Sequence, residues 1–240
     1  MSLLSSDNLF IHPSKEEYKE AAVRAHRSFF SKDGDISTLL NIYKAWNKGK
    51  RENNWAHMNY LNHKALCNAH NIRNQLQQLL QKLNYDTSMS CHPETEPFLK
   101  CLTAGLFFNV ARRNQGCIET PAVSDSLKSH NPNLNNKTMS FSNSANYRSS
   151  ISTAPFQTLR TSEPLYLHPS SCLFYSLRRA LSEDISRSSK TQKKLPEFII
   201  YADLLITTKT YARNVTIIDQ NWLSEVTNGL VKIKRSIESL

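Results

Sequence analysis

The chain has 240 residues, long enough for one large or two small domains with a buried core. Lys and Arg number 30 against 20 Asp and Glu, for a sequence pI near 9.4, so an anionic partner is favoured over an acidic-surface one. The composition excludes a membrane protein: the longest apolar stretch, AGLFFNVA (104–111), is far short of a span, and no signal peptide is read at MSLLSSDNLF.

The positive surplus is not a detached tail. Residues 1–85 hold 12 basic and 7 acidic side chains and residues 86–240 hold 18 and 13, so each part carries a surplus of five. The five cysteines (Cys67, Cys91, Cys101, Cys117, Cys172) are odd in number, widely spaced and never form CxxC. That pattern speaks against a disulfide framework and against zinc, and points to a reducing nuclear or cytoplasmic compartment.

In chain order, Ser14 opens SKEE, a capping-box pattern with Glu17, and predicts a helix whose Tyr18, Ala21, Ala22, Ala25 and Phe29 share one side. After the KDG turn, a second helix from Asp35 carries Leu39, Ile42, Tyr43 and Trp46 on one face and stops at Gly49. A third, continuous helical run is predicted from Trp55 to about Leu83, with Ala65, Ala69, Ile72, Leu76, Leu79 and Leu83 as its seam. Residues 1–85 therefore read as a helical unit, and the polar, proline-bearing stretch 86–97 as a linker.

A further helix is expected from Phe98 to about Arg113, placing Arg112 and Arg113 at its C-terminus, where cations suit the helix dipole. Beyond it the periodicity changes. The stretches at 163–171, 195–207 and 209–218 are β-branched, aromatic and bounded by turn formers, predicting a small β domain over 98–226 with an attached helix. Two segments stand outside it: a Ser- and Asn-rich insertion at 114–157, expected to be disordered, and a basic loop at 178–194. A tail follows at 227–240.

GLFFNVAR (105–112), LYLHPSS (165–171) and FIIYADLLITTKTYARNVTIID (198–219) resemble the C-terminal oligonucleotide/oligosaccharide-binding (OB) fold of DEAH-box RNA helicases. LLSSDNLFIHP (3–13), RAHRSFFSKDGDISTLLNIYKAW (24–46) and NWAHMNYLNHKALCNAHNIRNQL (54–76) are similar to the ratchet-like helical bundle that precedes that fold. The resemblance implies an α+β chain, a helical bundle followed by a small β-barrel of OB type. It also implies a role in closing a channel over single-stranded RNA while motor lobes drive unwinding. No GxxxxGK[ST] loop and no DEAH box occur, so this chain alone has nothing to cradle a triphosphate or its magnesium. ATP and Mg2+ would belong to motor lobes in cis. The chain is read as a fragment, a truncated product or a stand-alone descendant of that region.

Candidate RNA-binding residues follow. In an extended strand Lys209, Tyr211 and Arg213 project together, offering cations for phosphates and a ring for a base. The competing reading is packing against neighbouring domains, favoured for Tyr211, whereas Lys209 and Arg213 lean toward RNA. His168, Ser170 and Ser171 of HPSS lie on the RNA-facing side of the fold by resemblance; a Ser/His nucleophile is improbable there, and a Pro169 turn with capping hydroxyls is the simpler reading. Arg112 and Arg113 are split evenly between helix capping and RNA. Arg73 in IRNQL is assigned first to a buried or interdomain salt bridge, with RNA second. His57, His63 and His70 lack ligand-type neighbours and are read as surface or capping histidines, with no metal site. The alternative function is a protein-interaction module that docks motor lobes or glycine-rich patch cofactors with little RNA binding of its own.

Overall fold

The computed structural model describes residues 1–91, 93–114, 156–176 and 196–227. The basic loop at 178–194, most of the insertion at 114–157 and nearly all of the tail lie outside the described residues.

The bundle begins with α1 (Glu16–Arg27), which has Glu16 and Glu17 in its first turn and Arg24, His26 and Arg27 in its last, each suiting the helix dipole. Its N-cap is Lys15, with no side-chain capping bond, so the box expected from Ser14 does not form. The buried side chains are Ala22 and His26, whereas Tyr18 is exposed, which corrects the predicted face. The next helix, α2 (Asp35–Lys48), follows its periodicity: Leu39, Ile42 and Trp46 are buried and Gly49 ends it.

The predicted third helix is two helices, α3 (Asn53–Met58) and α4 (His63–Lys82). Tyr60 takes a left-handed φ of 54°, and the Asn62 side chain caps α4 by accepting from the Ala65 N–H at 3.1 Å. The break lets Leu61 turn into the core, where it bridges to Phe10, while Asn62 N donates to Leu9 O and Ile11 N to Tyr60 O, each at 2.9 Å. Only the first two turns of the α4 seam are covered: Ala65, Leu66 and Ala69 are buried, but Leu76, Leu79, Leu80 and Leu83 are exposed.

In the second unit, α5 (Glu96–Gly105) ends well before the arginines. A turn in which Leu106 N bonds Leu102 O and Asn109 N bonds Leu106 O leads into β1 (Val110–Arg113). Arg112 and Arg113 are thus strand residues with no helix C-terminus to cap; β-branched Val110 enters the ladder as soon as the helix stops. The other strands are β2 (Phe156–Thr158), β3 (Pro164–Leu167), β4 (Phe198–Ile206) and β5 (Thr210–Ile218), and α6 (Gln220–Val226) follows. Phe156 and Gln157 therefore belong to the barrel rather than to the insertion.

The sheet closes as a barrel in the order β1-β2-β3-β5-β4, and among the described strands only β3 and β5 pair in parallel. Ala111, Phe156, Leu165, Leu167, Ile199, Ala212 and Val215 fill the interior. On the outer side Val110, Phe198, Ile200 and Ile218 pack with Leu102 of α5 and Leu223 of α6. Ala212 and Val215 reach the same interior although three residues apart, because Asn214 between them adopts a left-handed φ of 53° and shifts the alternation by one.

The two units are joined at the start of α2. Gly34 has a φ of 124°, and a Cβ there would meet Val215 O at 2.3 Å, so only glycine allows the loop to lie on β5. Ile217 N donates to Asp33 O at 2.8 Å beside it. Asp35 then accepts from Val215 N at 2.8 Å, Cys172 N at 2.7 Å and Ser171 Oγ at 3.0 Å. Thr38 finishes the clasp, donating to Gly34 O and accepting from Ser31 N, each at 2.9 Å.

Candidate nucleic-acid interface

Parallel pairing sets Tyr166 of β3 opposite Tyr211 of β5. Leu165, Leu167 and Ala212 point inward, so strand alternation turns both tyrosines outward, with their ring centroids 5.9 Å apart. Lys209 Nζ lies over the Tyr166 ring at 4.6 Å, and His168 meets the Tyr211 ring edge-on at 6.0 Å. Ser170 continues the row, its Oγ 2.6 Å from His168 Nδ1. The result is a continuous ridge of cation, ring, ring, imidazole and hydroxyl across two strands, with exposed Arg213 beside it.

The imidazole of His168 accepts the Ser170 backbone N–H on Nδ1 at 3.1 Å, so its proton sits on Nε2. Burial, then the charge of Arg213, hold its pKa below the usual value, so the ring is neutral near pH 7. The His168–Ser170 contact is a turn lock around Pro169 rather than a nucleophile and base, since the nitrogen that would take the hydroxyl proton already holds a backbone bond.

Lys209 is not on the strand. It sits in the turn from Thr207 before β5 begins, where Thr207 N bonds Lys209 O at 3.0 Å. Tyr211 and Arg213 do share the outward face. Ser171 is removed from the surface: it is 2% exposed and its hydroxyl is donated to Asp35, because that hydroxyl closes the clasp. Arg112 meets Glu197 at 3.5 Å and lies across the Phe198 ring at 5.8 Å, which commits its charge, and Arg113 follows it on β1, a strand not adjacent to β3 or β5. Arg73 stands on α4, exposed and donating to Gln77 at 3.4 Å instead of forming the expected salt bridge.

Two members of the arrangement escaped sequence reasoning. Tyr166 is not among the sequence-derived candidates, although its alternation with His168 in LYLH is the signal that points to it. From the sequence Asp35 marks only a helix start. Burial pushes its carboxyl pKa up, against the pull of the hydrogen bonds it accepts. Neighbouring Cys172 is buried, and its thiol pKa is driven far up by desolvation and by the Asp35 charge, which makes it inert.

Between the N-terminal segment, α1 and the barrel rim runs a groove of about 460 Å3. Asn8, His12 and Arg27 face it from the bundle side, and Ser170, Arg213 and Asn214 from the barrel side. Among the described residues no His, Cys, Asp and Glu cluster could hold a metal ion, and no helix is long and apolar enough to cross a membrane.

A closed five-stranded barrel with a cationic and aromatic ridge, clasped to a helical bundle, is an OB-type fold with an attached helical unit. The sequence profile of the oligonucleotide/oligosaccharide-binding (OB)-fold family matches residues 98–230, more than half of the chain, and the chain belongs to that family. It is similar over 94% of its length to DEAH-box ATP-dependent RNA helicases. These include the probable ATP-dependent RNA helicase DHX35 of Homo sapiens at 27% identity and the ATP-dependent RNA helicase DHX33 of Drosophila melanogaster at 29%. The pre-mRNA-splicing factor ATP-dependent RNA helicase prp22 of Schizosaccharomyces pombe is 25% identical. The chain covers 24%, 24% and 14% of those relatives, so it spans a quarter or less of their length.

Proposed function

We propose that this chain is the C-terminal accessory region of a DEAH-box RNA helicase and that it grips single-stranded RNA on the barrel ridge. The observation that carries this reading is the row Lys209, Tyr166, Tyr211 and His168, built by the parallel pairing of β3 and β5, which sets rings for bases beside cations for phosphates. Motor lobes in cis supply ATP hydrolysis with Mg2+, and the ridge with its neighbouring groove closes the path over the strand. The setting is nuclear or cytoplasmic, and a splicing-factor relative speaks for the nucleus.

Binding of this kind is mostly electrostatic and tolerant of sequence, so it weakens steeply with salt. Fluorescence anisotropy with labelled oligo-uridine at two salt concentrations tests it. Alanine at both Lys209 and Arg213 reduces affinity and flattens the salt slope; an unchanged slope overturns the assignment.

The second reading, a docking module for motor lobes or glycine-rich patch cofactors, is favoured by one feature. Leu204, Leu205 and Ile206 at the end of β4 are exposed, Ile206 to 74%, and offer an apolar edge beside the ridge. Absence of RNA binding at low salt would place this reading first.

A further inference from the structure

The second half of α4 leaves an apolar surface uncovered. Leu76, Leu79, Leu80 and Leu83 are between 40% and 58% exposed, although Ala65 at the start of the same seam is buried in a cluster with Ile42 and Trp46 of α2. The helix ends at Asn84, whose φ of 60° is left-handed, and the chain doubles back. Tyr85 N returns to Leu80 O at 3.0 Å, and Thr87 Oγ1 accepts from Gln81 Nε2 at 3.2 Å. Leu76 and Leu80 then share a groove of about 410 Å3 with Ile36 and Leu40 of α2 and Phe98 and Leu102 of α5. Single exposed leucines are ordinary, but a contiguous apolar strip of this kind marks a docking surface.

Three observations single out its occupant. The first is where α6 delivers the chain. Leu223 of α6 packs with Leu102 of α5, and Glu225 meets Lys100 at 2.8 Å, so the residue that anchors α6 is also a wall of the groove. Thr227, the last described residue, therefore stands beside it. The second is the sequence that follows. Asn228 and Gly229 form a turn signal, after which Leu230, Ile233, Ile237 and Leu240 recur at steps of three, four and three, with Lys232 and Arg235 opposite. In helical form residues 230–240 rise about 16 Å, longer than the roughly 10 Å that separate Leu76 from Leu83 along α4.

The third is charge. Residues 84–95, which edge the groove through Asp86 and Thr87, hold Asp86 and Glu94 and no Lys or Arg. The tail brings Lys232, Lys234 and Arg235 against Glu238, a surplus of the opposite sign. A second copy fits less well, because α4 carries Lys64, Arg73 and Lys82 with no acidic residue, and α4 laid on α4 sets like charges together.

We propose that the tail turns back at Asn228 and Gly229 and lies as an amphipathic helix in the groove between α2, α4 and α5, with Leu230, Ile233, Ile237 and Leu240 against its leucines. The chain thereby carries its own plug for this surface, and any other apolar helix must displace it. The plug is independent of RNA binding at the ridge.

Hydrogen exchange of the intact chain, read by mass spectrometry, tests it. Amides of 230–240 are expected to exchange at least about tenfold more slowly than in an unstructured peptide. Leu76→Asp with Leu80→Asp, at half-exposed positions, is expected to abolish that protection while the β4–β5 ladder keeps its own. Ile233→Asp with Ile237→Asp is expected to do the same, and Val231→Asp, off the apolar face, to leave it intact. A short amine-reactive cross-linker applied to a mixture of light and heavy-isotope chains is expected to join Lys234 to Lys82 within one chain. Exchange of the tail at the unstructured rate in the unaltered chain overturns the proposal. Protection that survives the Leu76 and Leu80 variant also overturns it, since the tail is then helical without docking there. Links found only between light and heavy chains overturn the assigned occupant in favour of a second copy.

Discussion

Replacing Asp35 by alanine tests whether bundle and barrel fold as one unit. The carboxylate receives two backbone N–H groups and a hydroxyl at 2.7–3.0 Å, from Cys172, Val215 and Ser171, all at or near the barrel. Alanine leaves these three donors buried, at about 1–3 kcal/mol each, less the desolvation that an ionised carboxylate no longer suffers there; a net loss of about 3–5 kcal/mol is expected. Asparagine keeps one acceptor but turns an NH2 toward a donor, so it should cost about half as much. The assay is urea unfolding followed by two probes. Trp46 lies in the bundle core and Trp222 packs against the outer barrel layer, so variants retaining one tryptophan at a time report each unit. In the parent the two transitions coincide; in the alanine variant the barrel probe moves to lower urea and the curves separate. A loss below about 1 kcal/mol with coincident curves would refute the claim that Asp35 couples the units.

At Gly34, alanine should destabilise by about 2 kcal/mol or more, from the positive φ and the 2.3 Å approach to Val215 O, readable as a fall in urea midpoint at constant slope. Tyr166→Ala should weaken oligo-uridine binding by about 1–3 kcal/mol through lost stacking while thermal stability changes little; an unaltered affinity would remove Tyr166 from the interface. Stability should fall on acidification below pH 6.5. The pKa of His26 is lowered, first by burial, so the unfolded chain binds its proton more readily; the contribution is complete above the unfolded value and is lost as pH drops through the folded one. Asp35 has the opposite sign: its pKa is raised, so its burial disfavours the fold as pH rises from 3.8 through the folded value. Thermal midpoints at pH 7.5 and 5.5 for the parent and for His26→Gln, which keeps a donor for Tyr60 O, should show a shallower pH dependence in the variant.

Much of the architecture was legible in advance because it depends on local patterning. The 3.6-residue spacing of Leu39, Ile42 and Trp46 and the β-branched runs at 198–206 and 210–218 choose helix and strand within a few residues of chain, whatever lies across from them. The same logic set Tyr211 and Arg213 on one face of the strand, and the buried Ala212 between them, a fact of the tertiary structure, turns that face outward. What failed were boundaries and partners. Helical spacing ran on through Tyr60 and past Gly105, and only the pull of Leu61 into the bundle and of Val110 into a ladder with β4 ended those helices. The ridge needed Tyr166 and Tyr211, 45 positions apart, to be neighbours across a parallel pair, and Ser171 became a buried clasp residue because Asp35, 136 positions earlier, lies against it. Periodicity along the chain therefore determined which segments are helix or strand and which side of each is apolar, whereas the pairing of distant segments, set by barrel closure and by the burial of Asp35, decided which outward residues stand together as a site.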